Sequence, residues 1–384
     1  MRTPLSPNDN AVRSGLTLPR KTNWRMPAEW EPHEATWLTW PANPTTWPGR
    51  LLKEVESIYV RMIAALLPDE RVKLLVQDDR TKKKVLKLLP RTAKLNNLIF
   101  YKVPYVDSWI RDYGPVFVEV EGRRWKMGGK TFTKWRFNGW GGKYDDLATD
   151  DGVVDRLDEL KDYKRIDTGI ILEGGSIESN GRGSCLTTEQ CLLNSNRNPQ
   201  FSKKELEKIL EKFLGFTNVI WLKKGIEGDD TDGHIDDLAR FVGPRTVIAA
   251  CESDLADQNH RILKENFSLL KKAADENGRR FTVVELPMPG RMGVSGIGTH
   301  KFVCPPPYSG DTQICVSPRL PASYANFYVG NAAVLVPTYG HANDQKALGV
   351  IRRFFPRRKV IGIECTALVY GLGALHCVTQ QEPK

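Results

Sequence analysis

What this 384-residue sequence lacks narrows its class first. No apolar run is long enough to cross a bilayer, so a membrane-embedded protein is not expected. The first 25 residues (MRTPLSPNDNAVRSGLTLPRKTNWR) are polar and basic and contain no continuous apolar stretch, which argues against a secretory signal. Asp9 and the scattered prolines argue against a transit peptide as well. Cysteine is scarce and odd in number, seven, in a chain far too long to need disulfide staples. A reducing, cytoplasmic setting is therefore expected, with one thiol open to chemical use. No zinc-finger spacing, RNP-type aromatic motif or phosphate-binding glycine loop is present.

What is there is ordinary for a globular protein: 40% hydrophobic and 27% charged residues. Lys+Arg number 56 against Asp+Glu 46, a formal charge of +10, and that excess by itself points to an anionic partner such as nucleic acid. The most basic segment, 80–94 (RTKKKVLKLLPRTAK), also carries Val85, Leu86, Leu88 and Leu89. It reads as a solvated helix with an apolar side rather than a phosphate patch. The length permits two or three domains, but no Pro/Ser-rich linker divides the chain. A basic arm over 1–25 and one α/β domain over 26–384 are expected.

A helix, a short apolar strand and a polar, glycine-rich loop recur along the chain. Residues 54–67 carry Val55, Ile58, Met62 and Leu66 at helical spacing, stopped by Pro68, and 71–76 reads as a strand. A second helix over 81–89 precedes a strand at 98–103. A third opens on a capping box, Ser202 with Glu205, and ends near Gly215 before a strand at 219–222. The fourth runs over 258–277, with Gly278 as its C-cap, then a strand at 281–286. The fifth spans 343–355, followed by a strand at 360–363. Three of these units end in loops loaded with reactive side chains, as sites in α/β proteins are.

The densest is Glu227-Gly-Asp-Asp-Thr-Asp-Gly-His-Ile-Asp-Asp237, six acids in eleven residues. It lacks the helix–loop–helix ligand register and final Glu of a calcium loop, and a zinc site needs more His or Cys. A solvated acidic turn is the bland alternative. Against it stands the His-x-Asp core, which on an extended segment puts His234 and Asp236 on one side, a carboxylate tuning an imidazole for acid/base work. Cys377, in Gly371-Leu-Gly-Ala-Leu-His-Cys377, sits in a glycine-rich segment anchored by an apolar run, whereas Cys185, Cys191, Cys251, Cys304, Cys315 and Cys365 lie in apolar or strand-like contexts. In Trp109-Ile-Arg-Asp112 a ring and a carboxylate three residues apart suit a planar cation; a core Trp and a turn Asp read equally well. In Glu173-Gly-Gly-Ser-Ile-Glu178 paired glycines bring the backbone close to something, or simply make a tight turn.

Together these residues resemble the agmatine deiminase (agmatine iminohydrolase) family, within the guanidine-modifying group that includes bacterial peptidylarginine deiminases. The likeness runs from Met26-Pro-Ala-Glu-Trp-Glu-Pro-His33 through WIRDYGP, EGGSIE, Asn194-Ser-Asn-Arg-Asn-Pro199, DDTDGHIDDLARF and Leu320-Pro-Ala-Ser-Tyr-Ala-Asn-Phe327 to Thr379-Gln-Gln381. The resemblance implies a five-bladed pseudo-symmetric α/β propeller of ββαβ units, the pentein type. It further implies Cys377 as nucleophile, His234 as general acid/base, and Asp112 and Asp236 as clamps on a guanidinium. Trp109, Glu173, Asp230 and Gly373 would contact the substrate, with Glu173 holding the far amine. Neither metal nor organic cofactor is required by that chemistry. Agmatine is the substrate implied, yielding N-carbamoylputrescine and ammonia on the way to putrescine; peptidyl-arginine is the alternative, and a nucleic-acid-binding module is the rival from another class. Homo-oligomers are the family's tendency, and no membrane partner is expected. Three positions depart from the family pattern: Glu178 where His is usual, and Leu372 and Ala374 where the family has Gly and Asn. These departures make substrate choice and rate open questions.

Overall fold

The computed structural model of the protein describes residues 24–120, 130–293 and 319–384. Its strands form five separate sheets. Four share one plan, an antiparallel pair followed by a third strand parallel to the second. These are Val116–Val120, Thr131–Arg136 and Lys164–Ile171; Glu178–Ser179, Ser184–Thr188 and Asn218–Leu222; Ala239–Gly243, Thr246–Cys251 and Thr282–Pro287; and Tyr328–Val329, Ala333–Thr338 and Lys359–Glu364. The fifth sheet is made by both ends of the described chain. Thr379–Pro383 runs antiparallel to His33–Thr39, which pairs in parallel with Arg71–Val76, and Leu98–Lys102 adds a fourth strand. The architecture is thus α/β, five units of ββαβ type.

The units are not the five that periodicity marks. The predicted helices at 54–67 and 81–89 serve one and the same sheet, as Leu51–Leu66 and Asp79–Leu88. The sheet at 116–171 escapes the pattern because its crossover carries only a four-residue helical segment, Gly139–Gly142, and short 3-10 turns at Leu147–Gly152, Val154–Arg156 and Asp158–Asp162. With no amphipathic helix there is no 3.6-residue signal to find.

Local sequence explains the helices that form. Leu51–Leu66 buries Val55, Ile58, Tyr59, Met62, Ile63 and Leu66 along one face. Lys203–Leu214 has the expected capping box and ends on Gly215 at φ +78°, where a Cβ would meet the Trp24 carbonyl at 1.8 Å. The fourth helix is shorter than expected, Gln258–Lys272, and ends on Ala273. Gly278 instead turns a small loop whose flanks, Ala274 and Arg280, form an antiparallel bridge. On Asp79–Leu88 only Val85 is buried while Leu86 and Leu88 are exposed, so the basic segment is a solvated helix with less of an apolar side than its leucines imply.

Of the expected basic arm, residues 1–23 lie outside the described residues, as do Cys304 and Cys315. Trp24–Arg25 is a strand paired with Val116–Val120, and Arg25 forms ion pairs with Glu31 (2.6 Å) and Glu119 (2.5 Å). Among the described residues no helix is long and apolar enough to cross a membrane.

One regularity of the fold positions everything that follows. Where the chain leaves the last strand of one sheet and enters the first of the next, it passes through 103–115, 172–177, 223–238, a link ending at 319–327, and 365–378. Asp112, Gly175, His234 with Asp236, Asn326 and Cys377 lie one link after another, and all meet at one place.

Candidate active site

Cys377, Trp109, Asp112, Trp140, Asp230, Leu372 and Gly373 line one pocket of about 620 Å³. Cys377 is 7% exposed, with its Sγ 3.7 Å from Asp236 Oδ2. Burial, together with the charges of Asp236, Asp237 and Asp112, pushes its thiol well above the usual range. Asp112 Oδ2 accepts the Trp140 indole N–H (2.9 Å), and its Oδ1 accepts the backbone N–H of Gly175 (2.9 Å). Burial raises its carboxyl despite the opposing pull of His234.

His234 and Asp236 lie just beneath the pocket lining, at 1% and 0% exposure. His234 caps a 3-10 turn, Ile235–Asp237, and Asp236 lies within it, rather than both lying on an extended segment. Even so they converge: a Cβ on Gly175 would lie 2.5 Å from His234 Nδ1, 3.0 Å from Asp112 Oδ1 and 3.1 Å from Asp236 Oδ2. His234 Nδ1 is 3.9 Å from Asp112 Oδ1, and its Nε2 is buried with no hydrogen-bond partner among the described residues. Burial would lower its imidazole, but Asp112, Cys191 and Asp236 outweigh that and lift it well above the usual value. Asp236 is held below the usual carboxylate range: burial opposes, and the bond and charge of His376 prevail. Its Oδ2 meets His376 Nδ1 at 2.7 Å, while Oδ1 is buried and unpartnered. An ionised carboxylate with a free buried oxygen, beside a thiol, is a seat for a hydrogen-bonding cation.

Behind Asp236 runs a closed set of buried charges. His376 Nε2 meets Glu29 Oε2 at 2.8 Å; Glu29 pairs with Arg240 (2.9 Å) and Arg111 (3.3 Å); Arg240 pairs with Glu178 (3.0 Å). Glu178 also accepts the Phe241 N–H. Its partners are thus those of a buried ion pair, and it does not line the pocket. Ala374 is likewise buried and away from the lining. Of the three departures from the family pattern, Leu372 alone faces the pocket.

Glu173 is not where an amine-holding residue should be. It is fully buried behind His234, its Oε1 2.8 Å from Arg197 Nε, and it does not line the pocket. Glu173, Cys191 and His234 each place one ligand-type atom within 4.8 Å of the others. Arg197 already pairs with one oxygen of that carboxylate, whose Oε2 has no hydrogen-bond partner among the described residues. Burial pushes the Cys191 thiol up, so the set is a buried ion pair beside a neutral thiol rather than a cation's cage. Asp230, by contrast, does line the pocket and accepts the Tyr144 hydroxyl, with the exposed Asp146 close by on the same lining. Burial and the Asp229 charge raise its carboxyl to about 6. The other acids of the loop are structural: Asp229 caps the backbone of Thr231 and His234, and Asp232 pairs with Lys143 and Arg197.

Among the described residues, positive φ at non-glycine positions occurs at Trp140 (53°), Asp232 (66°) and Leu372 (71°), all at or bordering this pocket. Such conformations cost about 1 kcal/mol or more each and gather where surrounding structure over-determines them. Gly373 has a specific reason to be glycine: a Cβ there would lie 2.5 Å from the Trp109 ring. Trp109 in turn packs between Trp47 (centroids 5.5 Å) and Trp140 (6.4 Å, edge-on). Sequence reasoning missed Trp140, Tyr144 and Asn326. The first two lie in Gly139-Trp-Gly-Gly-Lys-Tyr144, where a tryptophan set among glycines was the available signal; for Asn326 there was only its place in a shared motif.

Comparisons with known proteins give the family of the chain. The profile of the Porphyromonas-type peptidyl-arginine deiminase family matches residues 25–383. A Legionella pneumophila (strain Paris) relative that carries the agmatine deiminase name is 34% identical over 373 residues, 96% of this chain and 98% of that one. Among solved structures, the agmatine deiminase of Enterococcus faecalis is 33% identical with a TM-score of 0.83, covering 94% of this chain and 96% of that one. A Cys-to-Ser variant of the Campylobacter jejuni agmatine deiminase with substrate bound is 30% identical, TM-score 0.77, with the same coverages.

Proposed function

The chain belongs to the Porphyromonas-type peptidyl-arginine deiminase family, and from that premise we propose that it hydrolyses agmatine to N-carbamoylputrescine and ammonia. The observation that carries this reading is Cys377 and Asp112 lining one pocket, with Asp236 just beneath, its Oδ2 3.7 Å from Sγ and its Oδ1 without a hydrogen-bond partner among the described residues. A guanidinium seated between two carboxylates is charge-matched and hydrogen-bonded, and its charge is localised so that its carbon becomes electrophilic. The reactions named for the relatives support the same chemistry.

In the empty site the thiol is pushed up and the His234 imidazole is pushed up, so both hold protons. The substrate's charge, arriving beside the sulfur, lowers the thiol's affinity for its proton, which leaves to solvent. Cys377 Sγ then forms a bond to the guanidinium carbon, and the imidazolium of His234 protonates one nitrogen, which departs as ammonia. The resulting amidino-thioether is attacked by water, from which His234, now neutral, takes a proton. The C–O bond forms, the C–S bond breaks, and the hydroxyl proton is lost as the urea carbonyl appears. Cys377 leaves as thiolate. Asp230 and Asp146, near the pocket's outer edge, suit the far ammonium of agmatine and repel the carboxylate of free arginine.

An ammonia-release assay on agmatine, free arginine and a blocked arginine peptide tests the reading. Turnover of agmatine alone is expected; turnover of the peptide but not agmatine would overturn it.

A further inference from the structure

We propose that Asn326 is a catalytic residue of this site, whose side-chain amide holds the Cys377 sulfur as a thiolate. The proposal rests on the reading that Cys377 is the nucleophile. Asn326 is fully buried, in the link that enters Tyr328–Val329, and its Nδ2 lies 3.1 Å from Cys377 Sγ. The orientation of the amide is over-determined. Its Oδ1 accepts the backbone N–H of His376 (2.9 Å) and of Cys377 (3.4 Å), and its second N–H goes to Asp237 Oδ1 (3.0 Å). A flipped amide would set its NH₂ against two N–H donors and its oxygen against a carboxylate and the sulfur. The donor must therefore face Sγ.

The surroundings give that bond its meaning. The charged or titratable groups that act on Cys377 include Asp236 and Asp237 from one link, Asp112 from another, and Tyr59 from the helix Leu51–Leu66, with the His234 imidazole, 3.9 Å from Asp112, as the nearby group of opposite sign. The neighbouring His376 is engaged by Asp236 and Glu29. Every acidic group disfavours a thiolate. Apart from a backbone bond from Ala374, the Asn326 amide is the donor among the described residues that favours one. Hydrogen bonds to charged groups are the strong kind, so the sulfur's proton affinity should depend on it.

Asn326→Asp keeps an oxygen for the His376 and Cys377 N–H groups and replaces the donor by an acceptor. The rate at which iodoacetamide labels Cys377, read by mass spectrometry of its peptide across pH, reports the thiolate. Its midpoint should rise by about one unit or more, with kcat falling roughly 10–100-fold. KM for agmatine should change less than about threefold. Because the new carboxylate also faces Asp237 and lowers stability, Asn326→Ser, which removes the donor without adding charge, is read beside it and should move the midpoint and kcat the same way. An unshifted midpoint with kcat retained overturns the proposal, and so does a loss accounted for by unfolding or by KM. If Asn326→Asp does not fold, Asn326→Ser is carried through the same measurements, and the same results support or overturn the proposal. Cys377→Ser separates this from the underlying reading. If that variant keeps wild-type rates, the nucleophile assignment fails; if it is inactive and the Asn326 variants titrate normally, only the role of Asn326 fails.

Discussion

Gly175→Ala is the sharpest small perturbation of this site. Gly175 sits in the turn Gly174–Ser176, donates its N–H to Asp112, and faces three functional groups. A methyl there would come within 2.5 Å of His234 Nδ1, 3.0 Å of Asp112 Oδ1 and 3.1 Å of Asp236 Oδ2, whereas ordinary contacts begin at 3.4 Å. The imidazole must therefore move by about 0.9 Å, and the two carboxylates by a few tenths. A misplacement near 1 Å at reacting groups costs about 100-fold in rate, or ~2.7 kcal/mol of transition-state stabilisation. Overpacking a dense interior costs about 1–3 kcal/mol of stability. Agmatine turnover by ammonia release and denaturant unfolding of the same preparation would read the two effects. Gly349→Ala, in the helix Asp344–Arg352 with nothing within 4 Å of the new Cβ, is the control and should be neutral or stabilising by up to ~1 kcal/mol. If folded Gly175→Ala turns over within threefold of wild type, the convergence of His234, Asp112 and Asp236 on that point is not what catalysis depends on.

Three further outcomes follow from the same geometry. The Asp230 carboxyl, raised to about 6, binds its proton more tightly in the folded chain, so its contribution to stability is present below its unfolded value and is lost as pH rises through 6. Its attraction for an ammonium runs the other way: KM for agmatine should climb as pH falls from 7 to 5, and Asp230→Asn should remove that slope while raising KM at pH 7. Arg197→Met leaves Glu173 and Asp232 without their buried cation; urea unfolding should show a loss of about 3–5 kcal/mol, and an unchanged midpoint would refute the ion pair's role. Leu372→Gly relieves a residue held at φ +71° by about 1 kcal/mol but gives up apolar contact, so stability should barely move. Turnover of bulkier guanidines relative to agmatine should rise; an unaltered ratio would mean that this side chain does not set the pocket's width.

Several features were legible in the linear chain because they are local. The capping box of Ser202 and Glu205 and the left-handed Gly215 are short-range chemistry, and both stand as expected. So does the Leu51–Leu66 stripe. The loops bearing Asp112, His234, Asp236 and Cys377 stood out at strand ends, but their residues alone left a turn Asp and a solvated acidic turn as alternatives, and the roles came from the family resemblance. The count of five units came out right over a wrong partition. Periodicity sees long amphipathic helices, and the crossover of the 116–171 sheet has only a four-residue helical segment and 3-10 turns. The net charge of +10 pointed away from the site, since a sum over the chain carries no position.

Which acids act and which merely hold the loop together is a matter of partners, and partners come from distant segments. Six acids between 227 and 237 look alike in sequence. Tyr144 and the pocket distinguish Asp230, Lys143 and Arg197 occupy Asp232, and His376, 140 residues away, keeps Asp236 ionised. Glu173, beside paired glycines, read as a substrate contact or as part of a tight turn, and the fold places it behind His234 against Arg197. Asn326 carried no mark beyond its place in a shared motif until the chain's last link brought Cys377 within 3.1 Å. Sequence determined the elements and the reactive side chains, because propensity, capping and residue chemistry act over a few positions. Tertiary structure decided their roles, because charge state and contact depend on burial and on neighbours that only the closing of Thr379–Pro383 onto His33–Thr39 brings together.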